Sequence, residues 1–311
     1  MSYPLVLERR SISPRERNSM TAAKDFYLYQ RKGAYIPRVA AVHDLCGYGK
    51  CSLGVAIPVL SAAGCDVCPV PTSLFSAHTK FPFFYMHDTT SMLPEYLDAW
   101  QKEGIDLDAI YSGFLGSAEQ VESIKRLYNE YPHALRIVDP VMGDGGSKYP
   151  TYTDDMCDAT RGLVSGADLL VPNLTEASIL TGLPYEGQNI SLEDAKRIAD
   201  ALLEMGAKTV VVKGIARGDG KIRNYVDGQS VKGEEVVSEL LPYMIHGTGD
   251  LYASALLAAA MCGRSLYDAV TFAGNFVVDA MRITKEQPDF EVRGVSFESV
   301  LGEVTDLLKN S

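Results

Sequence analysis

The chain has 311 residues, of which 46% are hydrophobic and 27 are glycine, which suits a globular enzyme of one large α/β domain or two smaller ones. The formal net charge of −11 argues against a nucleic-acid-binding surface, because basic residues are not concentrated anywhere beyond the N-terminus. No apolar run is long and pure enough to span a membrane, so we expect no membrane partner.

Residues 1–37 are polar and rich in arginine, and they lack the apolar core of a signal peptide. Three interpretations of this N-terminal extension stay open. It is a flexible arm, a region upstream of a true start at Met20, or an ordered strap on a partner subunit.

Six cysteines are present, and Cys65 and Cys68 form a C-x-x-C. No second pair or histidine cluster completes a zinc site with them. We therefore expect free thiols in a reducing, cytoplasmic environment.

From residue 38 onwards, short apolar runs alternate with helical ones. The predicted strands are 38–43, 67–71, 109–112, 135–138, 168–171 and 209–212. The predicted helices are 52–63, 96–102, 119–128, 192–205, 250–262, 266–281 and 297–308. The runs 222–226 and 230–237 predict an antiparallel hairpin turning at Asp227-Gly228.

The predicted strands are short, continuous and rich in Val, Ile and Leu. This pattern is typical of strands buried on both faces, hence of a parallel sheet between two layers of helices. We expect one domain over residues 38–311, because no linker or repeat divides it. Ligands of such sheets bind beyond the carboxyl ends of the strands, where five of the six predicted strands are followed by polar or charged side chains.

The segment from Met244 to Asp250 reads M-I-H-G-T-G-D and leads directly into an apolar helix. Its glycines let the backbone close on an anion, and the helix start points free N–H groups at the same place. Asp250 adds a carboxylate that can take a proton from a substrate hydroxyl. An anion hole beside a base favours phosphoryl transfer to an alcohol, although a glycine-rich helix start occurs in many folds.

Several motifs, taken in order, resemble the vitamin B6 kinases of the ribokinase-like superfamily. They are Phe75-Ser76-x-His78-Thr79, Ser112-Gly113-Phe114-Leu115-Gly116-Ser117, Asp139-Pro140-Val141-Met142-Gly143-Asp144, Pro172-Asn173-x-x-Glu176 and Gly247-Thr248-Gly249-Asp250. The resemblance runs from about Arg38 to the C-terminus. It implies a ribokinase-like three-layer sandwich with a mostly parallel central sheet and helices on both faces.

The resemblance also implies roles for individual residues. Asp250 would be the base, and the amides of Gly247, Thr248 and Gly249 would stabilise the transferring phosphoryl group. Mg²⁺ would be held near Asp139, Asp144 and Glu176, with Asn173 helping to position it through water. ATP would contact Asp139, Asn173, Lys213, Thr248 and Asn275. Whether a monovalent cation is also required stays open.

On the substrate side, the resemblance implies contacts from Asp44, Tyr48, Phe75, Thr79 and Phe114. Phe75 would stack on a pyridine ring, although an aromatic residue at a strand end is also a common core residue. Asp44 departs from the pattern, because pyridoxal kinases usually carry serine there. An aspartate is reminiscent of the related hydroxymethylpyrimidine kinases, and it can accept from a protonated ring nitrogen or an exocyclic amine.

We therefore expect a Mg²⁺- and ATP-dependent kinase that phosphorylates the hydroxymethyl group of pyridoxal, pyridoxamine or pyridoxine. The resemblance alone also implies a homodimer. A hydroxymethylpyrimidine kinase, a sugar kinase of the same superfamily and a non-catalytic ligand-binding relative stay as alternatives. A dinucleotide-binding dehydrogenase is disfavoured, because Gly47-x-Gly49 has Ser52 where the third glycine of G-x-G-x-x-G belongs.

Overall fold

The computed structural model describes residues 21–309, so our expectations for residues 1–20, including a start at Met20, lie outside the described residues. Nine strands form the main sheet. They are β2 (Arg38–Cys46), β3 (Asp66–Phe75), β4 (Met86–Asp88), β5 (Ala109–Ser112), β6 (Leu135–Val138), β9 (Leu169–Leu170), β10 (Thr209–Ala216), β11 (Lys221–Gly228) and β13 (Glu234–Glu239). Two-residue strands make two small extra pairs: β1 (Thr21–Ala22) with β12 (Val231–Lys232), and β7 (Gly143–Asp144) with β8 (Ser147–Lys148).

The strand order across the main sheet is β13-β11-β10-β9-β6-β5-β2-β3-β4. The six neighbours from β10 to β3 are parallel, whereas β4, β11 and β13 are antiparallel and lie at the two edges. The prediction of a mostly parallel sheet is confirmed. Its carboxyl-terminal edge gathers the ends of β2, β5, β6, β9 and β10.

Side chains alternate between the two faces of each strand, so they enter two separate cores. Val39 and Ala41 of β2 face one core, while Ala40 and Val42 face the other. The helices are α1 (Leu53–Ala62), α2 (Leu93–Lys102), α3 (Glu119–Glu130), α4 (Asp154–Arg161), α5 (Leu174–Thr181), α6 (Leu192–Glu204), α7 (Thr248–Met261), α8 (Leu266–Lys285), α9 (Phe290–Arg293) and α10 (Leu301–Lys309).

Helices α1, α7, α8 and α10 contribute to the first core, and α2 to α6 contribute to the second. The chain is therefore the predicted three-layer sandwich. None of the helices within residues 21–309 combines the length and apolar character that a bilayer span requires.

The structure differs from the local predictions at several places, among them the predicted hairpin turn and the unpredicted helices α4 and α5. The turn predicted at Asp227-Gly228 lies inside β11, where both residues pair with β10 and Gly228 donates to the Asp227 carboxylate at 2.9 Å. The reversal follows at residues 229–230. Helix α4 was not predicted, because it buries only Met156, Cys157 and Thr160 and has no long apolar stripe.

Part of the expected N-terminal extension is packed on the domain. β1 pairs with β12, and Phe26, Leu28 and Tyr29 pack against the first core. The Arg31 guanidinium donates to the carbonyl oxygens of Ala63 and Gly64, each at 2.9 Å. Residues 21–37 are thus tied to the end of α1.

Candidate active site

The start of α7 forms an anion-binding turn at the carboxyl-terminal edge of the sheet. Gly247 occupies the N-cap with φ +83° and ψ 1°, and a Cβ there would lie 2.2 Å from the carbonyl oxygen of Lys50. Only glycine fits this close approach. The first intrahelical bond runs from Leu251 N–H to the Gly247 carbonyl at 3.0 Å. The N–H groups of Thr248, Gly249 and Asp250 precede it and have no acceptor within the helix.

The Asp250 carboxyl lies in the first turn of α7. Burial raises the pKa of Asp250 to about 7, and the neighbouring carboxyls of Asp139 and Asp44 act in the same direction. A backbone hydrogen bond from Ser52 opposes this shift by favouring the ionised form. A carboxyl with a pKa near neutrality is a suitable proton acceptor for an alcohol.

Lys213 brings a positive charge to this turn from the end of the parallel part of β10. Its ammonium lies 2.7 Å from Asp139 Oδ1 and 3.9 Å from the position of a Cβ on Gly249. Burial lowers the pKa of Lys213, but the carboxylates of Asp139 and Glu176 outweigh that effect, so the net direction is upward. A charged lysine is therefore held between the Asp139 carboxylate and the amides of the anion-binding turn.

Asn173 and Glu176 form a capping box at the start of α5. The Asn173 side chain accepts from Glu176 N–H at 2.9 Å, and Glu176 Oε2 accepts from Asn173 N–H at 2.7 Å. The Asn173 amide also donates to the Gly143 carbonyl at 2.9 Å. Glu176 thus stabilises the start of α5, as its position in the sequence also suggested. It also interacts electrostatically with Lys213 and Asp139.

The donor set fits a divalent cation. The pKa of Glu176 is raised to about 8, chiefly by burial, with Lys213 acting against this shift and Asp139 adding to it. Asp139, Glu176 and Asp250 therefore share one lysine, which leaves negative charge uncompensated. Carboxylate oxygens with room for water are what Mg²⁺ prefers. Asp144, the other metal candidate, lies at the exposed β7–β8 turn, where its carboxylate accepts from Gly145 N–H at 2.8 Å.

A second group of side chains gathers where β2 and β3 end. Asp44 is buried and accepts from the Cys46 thiol at 3.3 Å. Burial raises the pKa of Asp44, while hydrogen bonds from Ser52 and Cys46 oppose that shift. Phe75 packs against Cys46 and Cys51 and contacts the Phe114 ring edge-on, with 6.0 Å between ring centroids. Asp44, Phe75 and Phe114 thus form one wall.

Tyr48 and Thr79 lie on the two loops above this wall. Tyr48 is 44% exposed, its ring contacts Phe81, and its carbonyl accepts from His78 N–H at 3.3 Å. Thr79 is exposed and follows His78, whose ring lies 4.4 Å from that of His246 beside the anion-binding turn. Both residues are therefore accessible near the entrance of the site.

Asn275 is the candidate on α8, where it is exposed in the middle of the helix. Its expected place near adenine stays a prediction.

Sequence reasoning missed two residues of the site. Ser52 has φ +50° and ψ −128°, a conformation that glycine dominates, and it is the only non-glycine residue with positive φ within residues 21–309. Its occupation of the third glycine position in the G-x-G-x-x-G spacing was the available signal. Tyr149 is the other: burial raises its pKa, and the carboxylates of Glu176, Asp144, Asp250 and Asp139 act in the same direction. No sequence pattern indicated it.

An anion-binding helix start, a base of raised pKa and a lysine–carboxylate pair at one edge of a parallel sheet are the features of a phosphotransferase. The family model described as phosphomethylpyrimidine kinase matches residues 57–293. Since this match covers more than half of the chain, the chain belongs to the phosphomethylpyrimidine kinase family, within the ribokinase-like superfamily.

Relatives carry names of two kinds. A hydroxymethylpyrimidine/phosphomethylpyrimidine kinase of Bacillus subtilis (strain 168) is 32% identical over 200 residues, which cover 63% of this chain and 71% of that protein. A pyridoxal kinase PdxY of Pasteurella multocida (strain Pm70) is 30% identical over 278 residues, covering 82% and 92%. A crystal structure of a Bacteroides thetaiotaomicron protein named as a phosphomethylpyrimidine kinase, in a form with pyridoxal, is 33% identical. Its TM-score is 0.83, and the match covers 87% of this chain and 96% of that one.

Proposed function

We propose that this protein is an ATP-dependent kinase that phosphorylates the 5′-hydroxymethyl group of pyridoxal, pyridoxamine or pyridoxine. The observation that carries this proposal is the first turn of α7. There, free amides, the Asp250 carboxyl and the Lys213 ammonium converge beside the Asp44–Phe75–Phe114 wall. Relatives named as pyridoxal kinases and the pyridoxal-containing relative support this choice of substrate.

The mechanism follows from the positions of these groups. Asp250 orients the substrate hydroxyl and accepts its proton as the oxygen attacks the γ-phosphorus of ATP in line. The phosphorus–oxygen bond to ADP breaks, and ADP leaves. The amides of Thr248 and Gly249, together with Lys213, stabilise the negative charge on the transferring phosphoryl group. Most of the acceleration comes from positioning and charge stabilisation.

Glu176 and Asp139 would hold Mg²⁺, mainly through its water shell, with Asn173 fixing Glu176. When bound, Mg²⁺ supplies charge neutralisation on the nucleotide phosphates. The chain's own contribution is to keep these two carboxylates buried near the strand ends and to pair Lys213 with Asp139. We propose that the nucleotide site also includes Thr248 and, by resemblance, Asn275.

One observation favours a second candidate, 4-amino-5-hydroxymethyl-2-methylpyrimidine. Asp44 offers a buried carboxylate at the aromatic wall, and it has no cationic partner within residues 21–309. A protonated ring nitrogen or an exocyclic amine would satisfy it. The pyrimidine carries both types of group, whereas pyridoxal and pyridoxine carry the ring nitrogen alone.

The test is a phosphoryl-transfer assay with Mg-ATP in which the three B6 vitamers and the pyrimidine are compared by kcat/KM. We expect the highest value for a pyridine. A higher value for the pyrimidine would make it the substrate and Asp44 its recognition group. Transfer to none of the four would overturn the substrate assignment.

Replacing the base tests the mechanism itself. We expect Asp250→Asn to lower kcat about 10²–10⁴-fold, the range for a positioned general base, because asparagine keeps the shape but cannot accept the proton. Substrate affinity, measured by equilibrium binding, should change little. The exposed Glu204 of α6 offers a matched control: Glu204→Gln should keep wild-type turnover. Full turnover by Asp250→Asn would rule out its role as base.

We also propose a cytoplasmic homodimer formed by one kinase domain per chain. All six cysteines are free thiols, which suits a reducing compartment. The dimer follows from resemblance alone. Light scattering after size exclusion tests it, and a mass near 34 kDa would indicate a monomer.

A further inference from the structure

Three potential metal ligands converge at the end of β2, outside the proposed magnesium site. Asp44 and Cys46 are two residues apart near the end of β2, and both are buried, whereas Leu45 between them is exposed. The glycine-rich loop then returns Cys51 to the same place. The Cys46 and Cys51 sulfurs lie 3.2 Å apart, and Cys46 Sγ lies 3.3 Å from Asp44 Oδ2.

We propose that Asp44, Cys46 and Cys51 form a binding site for a thiophilic divalent cation of the Zn²⁺ type. One ligand atom from each residue lies within 4.8 Å of the other two, and all three residues are buried. Zinc at about 2.3 Å from each sulfur separates two tetrahedral thiolates by about 3.8 Å, so the present arrangement needs only a small expansion. A water molecule would take the fourth position.

The ligand types separate this site from the magnesium site. Mg²⁺ takes oxygen ligands, whereas two thiolates with one carboxylate suit zinc and its thiophilic neighbours. Binding would release the two thiol protons to solvent as two sulfur–metal bonds form, with no change of oxidation state. The thiols thus remain reduced throughout.

The charge at the cluster favours a cation. The Asp44 carboxylate has no cationic partner within residues 21–309, and its donors are the Cys46 thiol and the Ser52 side chain. A divalent cation would compensate this carboxylate and both thiolates together.

Occupation of this site would inhibit the enzyme. Asp44 is the proposed partner of the substrate ring, and Phe75 packs directly against both cysteines. A cation bound to Asp44 would remove that carboxylate from substrate recognition. This inhibitory consequence rests on the proposed function, whereas the metal site itself does not.

Cobalt provides the direct test, because thiolate-bound Co²⁺ absorbs in the near ultraviolet through sulfur-to-metal charge transfer. The full chain, reduced with a phosphine and freed of metal, is titrated with Co²⁺. We expect one equivalent to bind with this absorption, and Zn²⁺ to displace it. Absence of the absorption in the reduced wild-type protein would overturn the proposal.

Variants locate the ligands. Cys46→Ser and Cys51→Ser should each weaken binding at least 10-fold, whereas Cys68→Ser, a change at a partly exposed thiol outside the cluster, should not. Asp44→Asn keeps both thiols and should weaken binding while retaining the absorption. Unchanged binding in the Cys46→Ser/Cys51→Ser double variant would also overturn the proposal.

Kinase assays then test the consequence. Zn²⁺ should inhibit the wild-type enzyme competitively with the vitamer, and a zinc-selective chelator should restore turnover. The double variant should lose this inhibition. Wild-type inhibition that persists unchanged in the double variant would contradict the inhibitory role. A protein that binds Co²⁺ but shows no kinase activity would refute the proposed function and leave the metal site standing.

Discussion

At the scale of single residues, the site concentrates carboxyl groups that are costly to keep charged. Asp250 and Glu176 have pKa values raised to about 7 and about 8, chiefly by burial. Lys213 compensates only part of this charge through its 2.7 Å contact with Asp139. These charges lower the stability of the ligand-free protein at neutral pH, and they favour the binding of a cation and a phosphorylated ligand.

The cost can be measured through Asp250. Its folded-state pKa lies above the value of about 3.9 in an unfolded chain, so the folded state binds the proton more tightly. Stability should therefore fall as pH rises from about 4 to about 7, and Asp250→Asn should escape this loss. The measurement is urea unfolding without magnesium. We expect the unfolding free energy of Asp250→Asn, relative to that of wild type, to increase by about 1–3 kcal/mol as the pH rises from about 4 to about 7.

Glu204→Gln serves as the matched control for that comparison, because Glu204 is exposed on α6. Its stability relative to wild type should not change across the same pH interval. An equal gain in both variants would show that the effect comes from net charge rather than from burial of Asp250.

At the scale of elements, the anion-binding turn depends on one backbone conformation. A Cβ at Gly247 would meet the Lys50 carbonyl at 2.2 Å, and its φ of +83° is unfavourable for other residues. We expect Gly247→Ala to lower kcat about 10²-fold, comparable to the loss of one oxyanion-hole donor, because the turn must move away from the Lys50 carbonyl. Steady-state kinetics with the best substrate measures this.

Gly182→Ala is a control in which the added Cβ strains the backbone but meets no neighbouring atom. Gly182 ends α5 with φ +74°, but a Cβ there meets nothing within 4 Å. This variant should lose about 1 kcal/mol of stability and keep its turnover. If Gly247→Ala also kept full turnover, the amides of the turn would not be the phosphoryl-binding groups.

The sequence predicted those elements whose pattern is set by burial. β5 and β6 were predicted with correct ends, because strands buried on both faces are continuous apolar runs. Helix α4 was missed, because Thr153 caps a segment that buries little. Asp250 was recognisable from its local motif. The conformation of Ser52 and the close approach of Cys46 and Cys51 were not recognisable in this way, because both depend on the path of the loop. Contacts with distant parts of the chain fix that path, for example the hydrogen bond from Gly47 N–H to the Phe75 carbonyl at 2.8 Å.

At the scale of the whole molecule, residues far apart in the chain secure the helices that build the site. Arg31 holds the end of α1 through two backbone carbonyls, while the start of α1 provides Ser52 beside Asp250. Helix α1 in turn shares the first core with α7. The N-terminal segment therefore supports the catalytic layer from its far side.

Arg31→Ala tests that support. We expect a loss of about 1–3 kcal/mol in unfolding free energy, because two partly buried carbonyls lose a charged donor. Activity at 25 °C should remain, since Arg31 is far from the reacting groups along α1. Lys32→Ala, at an exposed neighbour, should leave stability unchanged in the same denaturant titration. Equal stability of the two variants would show that the guanidinium contacts contribute nothing measurable.

Helix α7 is buried along most of its length: every residue from Leu251 to Met261 is buried, whereas its first turn, residues 248–250, is partly exposed. The buried part has no solvent-facing stripe along which it could melt separately, so it cannot unfold without opening the core around it. The phosphoryl-binding end is consequently anchored in the centre of the protein. Thermal inactivation should therefore be abrupt and coincide with the loss of the whole fold, and flexibility needed for substrate entry must come from the loops around Tyr48 and Thr79.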